Sequence, residues 1–192
     1  PPKLSFRNDL WSKIEDWKPS AHAKAQEQIG EPLIKENIVV TLKRKYSYDG
    51  LDIEELTWQL PYGRPVEAIF MKPENNTEKL PAILALHDHA GKKCFGKRKI
   101  TKTSEAQHPL MVAHQKSDYE GRAWANEIAK RGYAVLVHDA FSFASRRVFY
   151  EDMAGIEWGP LKAEGRTDEN SEDVRNIEAY NEWAGHHEHV TA

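Results

Sequence analysis

The sequence holds one cysteine, Cys94, among 192 residues, so no internal disulfide can form. That fits a reducing compartment and points to a cytoplasmic protein while leaving a secreted one open. The chain begins Pro1-Pro2-Lys3 without an initiator Met, and a leader could have been removed. Long apolar runs are missing as well: the longest, residues 82–86 and 133–137, fall far short of the ~20 residues a membrane helix needs, so no membrane partner is expected. Nor is there an excess of positive charge. The net charge is −3, which provides no general field for nucleic acid. No internal repeat and no low-complexity segment is visible. What is present is 40% apolar and 30% charged residues, the balance of a globular chain long enough to bury a core.

Residues 8–29 have helical character, with Leu10, Trp11, Ile14 and Trp17 recurring among charged neighbours until Pro19 interrupts the run. From Ile38 the period changes to two: Val40, Leu42, Arg44 and Tyr46 alternate with Val39, Thr41, Lys43 and Lys45. Asp49-Gly50 is a strong turn signal, and beyond it Leu56, Trp58 and Leu60 share one face of a second strand. Pro61-Tyr62-Gly63 turns the chain into a third strand, in which Val66, Ala68 and Phe70 share a face. This is an antiparallel meander, closed by the polar loop 73–79.

The character then shifts. Residues 82–86 and 133–137 are continuously apolar, as in strands of a parallel sheet covered on both faces. Between them Ser117-Asp-Tyr-Glu120 reads as a capping box, Ala123, Trp124, Ile128 and Ala129 form an apolar face, and Arg131-Gly132 supplies a stop. The spacing predicts one helix over 117–131 crossing between adjacent parallel strands 82–87 and 133–138. A last helix is expected from Ser171, carrying Val174, Ile177, Tyr180 and Trp183-Ala184 on one side. Two parallel strands are too few for such a sheet, so the 192 residues read as one segment of a longer polypeptide.

Ligands of open α/β sheets bind outside the carboxyl ends of the strands. Both candidate parallel strands end there in polar groups, His87-Asp88-His89 and His138-Asp139. His138 and Asp139 read as structural groups near the site. The sharper question is "AILALHDHAG", where an apolar strand stops at two histidines flanking an aspartate. One answer is a metal-dependent hydrolase, since His87 and His89 lie two apart and share a strand face, with His186, His187 and His189 as candidate partners. Against it, no H-E-x-x-H or clear second ligand cluster accompanies the pair. The other answer is a loop that brings backbone close to a ligand, with Ala90-Gly91 giving the room. The basic loop "KKCFGKRKITK" reads either as a solvated surface or as a substrate entrance at Lys92 and Lys93. Cys94 would be nucleophilic only with a lowered pKa.

Residues 66–148, "VEAIFMKP…LPAILALHDHAGKK…GRAWANEIAKRGYAVLVHDAFSFASRRV", resemble the N-terminal portion of an α/β hydrolase of the dienelactone hydrolase and acetyl xylan esterase type. The matching residues are His87, Asp88, His89 and Gly91 for the oxyanion loop, then Ala129, Gly132, Tyr133, Val135, Leu136 and Asp139. The resemblance implies an α/β fold with an α/β-hydrolase-type sheet, an antiparallel N-terminal meander leading into parallel strands with crossover helices, incomplete in this chain. It divides the chain into a helical extension (1–35), the meander (36–72) and the start of the parallel core (80–192). It also implies a serine hydrolase acting on a carboxylic ester or related acyl bond of a small molecule, with no organic cofactor. Two departures stand out. The loop's usual first glycine is Asp88, and no G-x-S-x-G occurs, since Ser142 and Ser145 lack the flanking glycines of a nucleophile elbow. The triad would then lie beyond this chain, leaving the segment inactive alone. The backbone N–H of His89 would be its oxyanion donor, and the remainder of the polypeptide its first partner. A non-catalytic α/β binding domain stays open as a further alternative, as does a homo-oligomer.

Overall fold

The computed structural model describes residues 2–30, 34, 37–149, 177 and 180. The chain divides into two compact units, Pro1–Asn37 and Ile38–Ala192.

In the first unit, helix α1 spans Ile14–Ile29 and runs through Pro19 instead of breaking there. Pro19 is the sixth residue of α1, past the unpartnered amides of the first turn, so it gives up its own bond to the Glu15 carbonyl while the helix continues beyond it. Residues 8–13, expected to be helical, form turns instead, and no α1 residue is buried. Trp17 bonds through its indole nitrogen to the Leu4 carbonyl at 2.8 Å and packs its ring against Phe6.

The second unit is built on a five-stranded sheet. Strands β1 (Thr41–Tyr48), β2 (Leu51–Trp58) and β3 (Val66–Pro73) form the antiparallel meander. Asp49 and Gly50, both with positive φ, make the two-residue turn between β1 and β2. Strands β4 (Ala82–Ala85) and β5 (Ala134–His138) are parallel neighbours, as expected. The strand order is β1-β2-β3-β5-β4, so β5 sits between an antiparallel and a parallel partner.

The crossover from β4 to β5 differs from the single helix expected over 117–131. Two helices occupy it, α2 (Pro109–Asp118) and α3 (Trp124–Lys130). Ser117 caps nothing ahead of it, because its hydroxyl donates back to the His114 carbonyl at 3.0 Å inside α2. Glu120 and Gly121 take positive φ, and the Gly121 amide reaches back to the Gln115 carbonyl at 2.8 Å. Ser-Asp-Tyr-Glu-Gly is therefore the end of a helix.

One face of the sheet carries the core. Leu51, Ile53, Ile69, Met71, Ala85, Val135 and Val137 pack there against Ile100 and against Ala125 and Ala129 of α3. In β2 the fully buried residues are thus Leu51 and Ile53, one register step from the face formed by Leu56 and Trp58. The expectation of strands covered on both faces is not met among the described residues: Leu84 of β4 points the other way and is 59% exposed. Ile177 and Tyr180 are helical and buried against Cys94, Phe95 and Met111. The rest of the expected last helix, with His186, His187 and His189, lies outside the described residues.

Candidate active site

Ala85 of β4 pairs with Val137 of β5, so the loops after the two strands emerge side by side at one edge. His87, Asp88 and His89 leave that edge beside His138 and Asp139, as the sequence suggested.

His87 joins the two loops. Its Nε2 accepts from the Ala140 amide at 3.1 Å and its Nδ1 lies 2.9 Å from the Asp88 carbonyl. An amide can only donate and a carbonyl only accept, so the hydrogen sits on Nδ1 and the ring is neutral. Burial lowers the His87 pKa, with the charge of Lys99 adding to the effect and the bond to the Asp88 carbonyl opposing it. Both nitrogens are occupied, which leaves no lone pair for the metal reading of His87 and His89. Among the described residues no three His, Cys, Asp or Glu side chains gather as a ligand set.

Asp88 is the hub. One carboxylate oxygen, Oδ2, takes hydrogen bonds from Tyr119 Oη at 2.5 Å and His114 Nε2 at 3.0 Å. The other, Oδ1, accepts from the Ala90 amide at 2.8 Å and faces Lys99 Nζ at 3.3 Å. Burial works against the negative charge, but the bonds from Tyr119 and His114 and the charge of Lys99 outweigh it and hold the carboxyl well below its usual range. The Tyr119 hydroxyl is pushed up by burial and by the same bond. On its far side, His114 has Nδ1 at 2.8 Å from Asp118 but misaligned for a hydrogen bond.

His89 is exposed, with its ring edge against Phe143. Its carbonyl accepts from the Gly91 amide at 2.6 Å, while none of the described residues accepts from its own N–H. Gly91 and Lys92 both take positive φ.

The basic loop is not a solvated surface. Lys93 is 3% exposed, with Nζ 3.8 Å from the Phe143 ring centre and 3.4 Å from Ser142 Oγ, so it lies under the loop and not at an entrance. Lys92 is half-buried. Lys99 is fully buried and its Nζ donates to the Gly91 carbonyl at 2.7 Å. Cys94 is buried too.

Asp139 has no exposed surface. Its carboxylate accepts from the Lys97 amide and Nζ, both at 2.8 Å, and from the Ser145 hydroxyl and amide at 2.8 and 3.2 Å. Burial opposes the charge on Lys97, yet Asp139 and Glu67 raise its pKa. Ser145 Oγ also accepts from the Glu67 amide, so this serine and this aspartate serve the scaffold. His138 is half-buried, with Nδ1 3.0 Å from the Asp139 carbonyl.

Sequence reasoning missed the convergence of Lys99, His114 and Tyr119 on Asp88. They follow it by 11, 26 and 31 residues and belong to no periodic pattern that would connect them. The one available signal was the aspartate itself, an acidic side chain where a loop glycine was expected.

No family model matches the sequence, and a search of curated proteins returns no match. Among solved structures, a protein of Bacteroides fragilis NCTC 9343, provisionally assigned as an acetyl xylan esterase, is similar over 83% of this chain with 16% identity and a TM-score of 0.57. The chain spans 40% of that structure's length. An acetyl xylan esterase from Paenibacillus sp. R4 is 15% identical, with 73% of this chain and 36% of that one covered and a TM-score of 0.31. The first likeness establishes the fold: an α/β-hydrolase-type sheet, of which this chain carries the meander and the first parallel strands.

Proposed function

We propose that the protein is an ester hydrolase acting on small-molecule carboxylic esters, and that the loop after β4 forms half of its oxyanion hole. One observation carries this reading. The His89 N–H has no acceptor among the described residues, although the loop that presents it is tied down on every side. A buried framework organised around an unused donor suits a charge that appears only during reaction. The tetrahedral oxyanion would accept from His89 N–H, a contact worth about 2.7–4 kcal/mol of transition-state stabilisation. The nucleophile in this reading is a serine with a histidine base, both outside the described residues, and the second donor is the amide after that serine. The shared fold with a protein provisionally assigned as an acetyl xylan esterase supports the substrate class.

The test uses the full polypeptide. A fluorophosphonate probe should label one serine, and labelling should abolish hydrolysis of an aryl acetate. Activity that survives the probe but is lost to a chelator would replace the serine reading with a metal one. Absence of both labelling and hydrolysis would leave a binding domain on a hydrolase scaffold.

A further inference from the structure

Lys99 is a costly residue to place where it is. Its side chain has no exposed surface, although burying an ammonium group carries a large desolvation penalty. Among the described residues, the acceptors of its Nζ belong to the loop after β4: the Gly91 carbonyl at 2.7 Å, and the carbonyl and Oδ1 of Asp88, each at 3.3 Å. The Phe143 ring, from the loop after β5, closes the remaining side at 4.4 Å. Its own carbonyl is held by Gln115 of α2 at 3.1 Å, so the lysine is fixed at both ends.

We infer that Lys99 is a positioning residue: it clamps the 88–91 loop so that the His89 N–H keeps its direction. The inference rests on the oxyanion reading for its purpose but not for its geometry. Gly91 and the non-glycine Lys92 both take positive φ, a local arrangement that persists only when its surroundings over-determine it. The amides of Ala90 and Gly91 donate within the loop, to Asp88 and His89, so those bonds would move with it. Among the described residues, Lys99 alone links the Gly91 carbonyl to the scaffold. The aspartate in place of a glycine then has a use, since Asp88 faces Lys99 on one oxygen while Tyr119 and His114 hold the other.

A purely structural role makes a different forecast, which separates the two. Replacing both members of a buried ion pair with apolar side chains is often neutral for stability, whereas stranding one buried charge is costly. Lys99→Met strands only Asp88, which is partly exposed and keeps its bonds from Tyr119, His114 and the Ala90 amide. A residue kept for position should therefore be dispensable to the fold and indispensable to the loop. The charged and titratable groups around Lys99 are Asp88, His87, Lys92 and Lys93 from the loops, with Tyr119 and His114 behind Asp88. Burial lowers the Lys99 pKa to about 8, with Lys92 and Lys93 adding to the effect and Asp88 opposing it.

The experiment is carbon NMR on the full polypeptide labelled with glycine carbonyl carbon, for the wild type and Lys99→Met. The Gly91 carbonyl resonance should shift in the variant while the thermal midpoint stays within a few degrees. In the wild type that resonance should move through one transition near pH 8, absent from the variant. In ester hydrolysis, kcat should fall about tenfold to a hundredfold with KM little changed, as for a misplaced transition-state donor. A Gly91 resonance unmoved by either substitution or pH would overturn the inference, and so would a large fall in midpoint with kcat intact. If the variant fails to fold, the wild-type titration decides alone. A wild type that hydrolyses no ester sinks the proposed function and leaves the carbonyl readout to judge the clamp.

Discussion

A methyl group at Gly96 would sit 2.2 Å from Oδ1 of Asp139 and 3.2 Å from the Ala144 side chain. Neither neighbour can give way, because Asp139 is held by Lys97 and Ser145. Gly96→Ala should therefore cost at least the ~1–3 kcal/mol of overpacking, read as a lower denaturation midpoint in urea. Asp139→Asn should be worse, about 3–5 kcal/mol, because it leaves the nearly buried Lys97 ammonium with Glu67 alone. The pH dependence has one sign in two windows. The Asp88 pKa lies below its usual 3.8 in the folded protein, so its contribution is present above that value and lost as pH falls below it. Asp88→Asn should flatten that part of an acid titration of stability. Lys99 adds a second rise at higher pH. Its folded pKa of about 8 lies below the ordinary 10.5, so between those values the unfolded chain binds the extra proton and stability rises with pH. Lys99→Met should remove that rise. None of these couplings was visible in the sequence. "KKCFGKRKITK" has the composition of a solvated loop, and the carboxylates that let Lys97 and Lys99 turn inward lie at the ends of two strands distant in sequence.

Among the elements, α3 lies against the sheet through two alanines, Ala125 and Ala129, both without exposed surface. Small side chains let the helix approach β3 and β5 closely. Ala129→Leu should destabilise by about 1–3 kcal/mol in chemical denaturation. Lys130→Ala, one residue away, removes an ion pair with Asp49 in which both side chains are substantially exposed, and should cost no more than about 1 kcal/mol. The apolar face of α3 was legible because Trp124, Ile128 and Ala129 recur at helical spacing. The helix start was not, because Ser117 and Glu120 satisfy the capping-box pattern while the glycine after Glu120 ends a preceding helix. A pattern of four residues cannot show which side of it the helix lies on. The parallel pair β4 and β5 was easier, since a continuous apolar run leaves few alternatives in a chain of this size.

For the molecule as a whole, the described sheet ends at β4, whose Leu84 is 59% exposed, as is Leu86 just beyond it. An open strand edge beside exposed leucines is a template for self-association. A polypeptide of these 192 residues alone should bind a hydrophobic dye and self-associate in light scattering, and Leu84→Lys should reduce both. Unchanged scattering in the variant would show that this strand is not the cause. The binary pattern of the strands announced a sheet of this kind, but could not say which faces the described chain covers, because coverage depends on residues far away in sequence.

The two loops at the carboxyl edge are joined at three levels: His87 to the Ala140 amide, the Lys93 carbonyl to the Ala144 amide, and Lys97 to Asp139. They behave as one casting, and neither can change length without spoiling the other. Two glycines inserted after His89, or after Phe141, should misalign both halves at once, whereas the same insertion between the exposed Glu78 and Lys79 should pass almost unnoticed. Length drift in homologous chains should accordingly collect at the exposed loop and spare the edge, and where one loop at the edge has lengthened, the other should have lengthened with it.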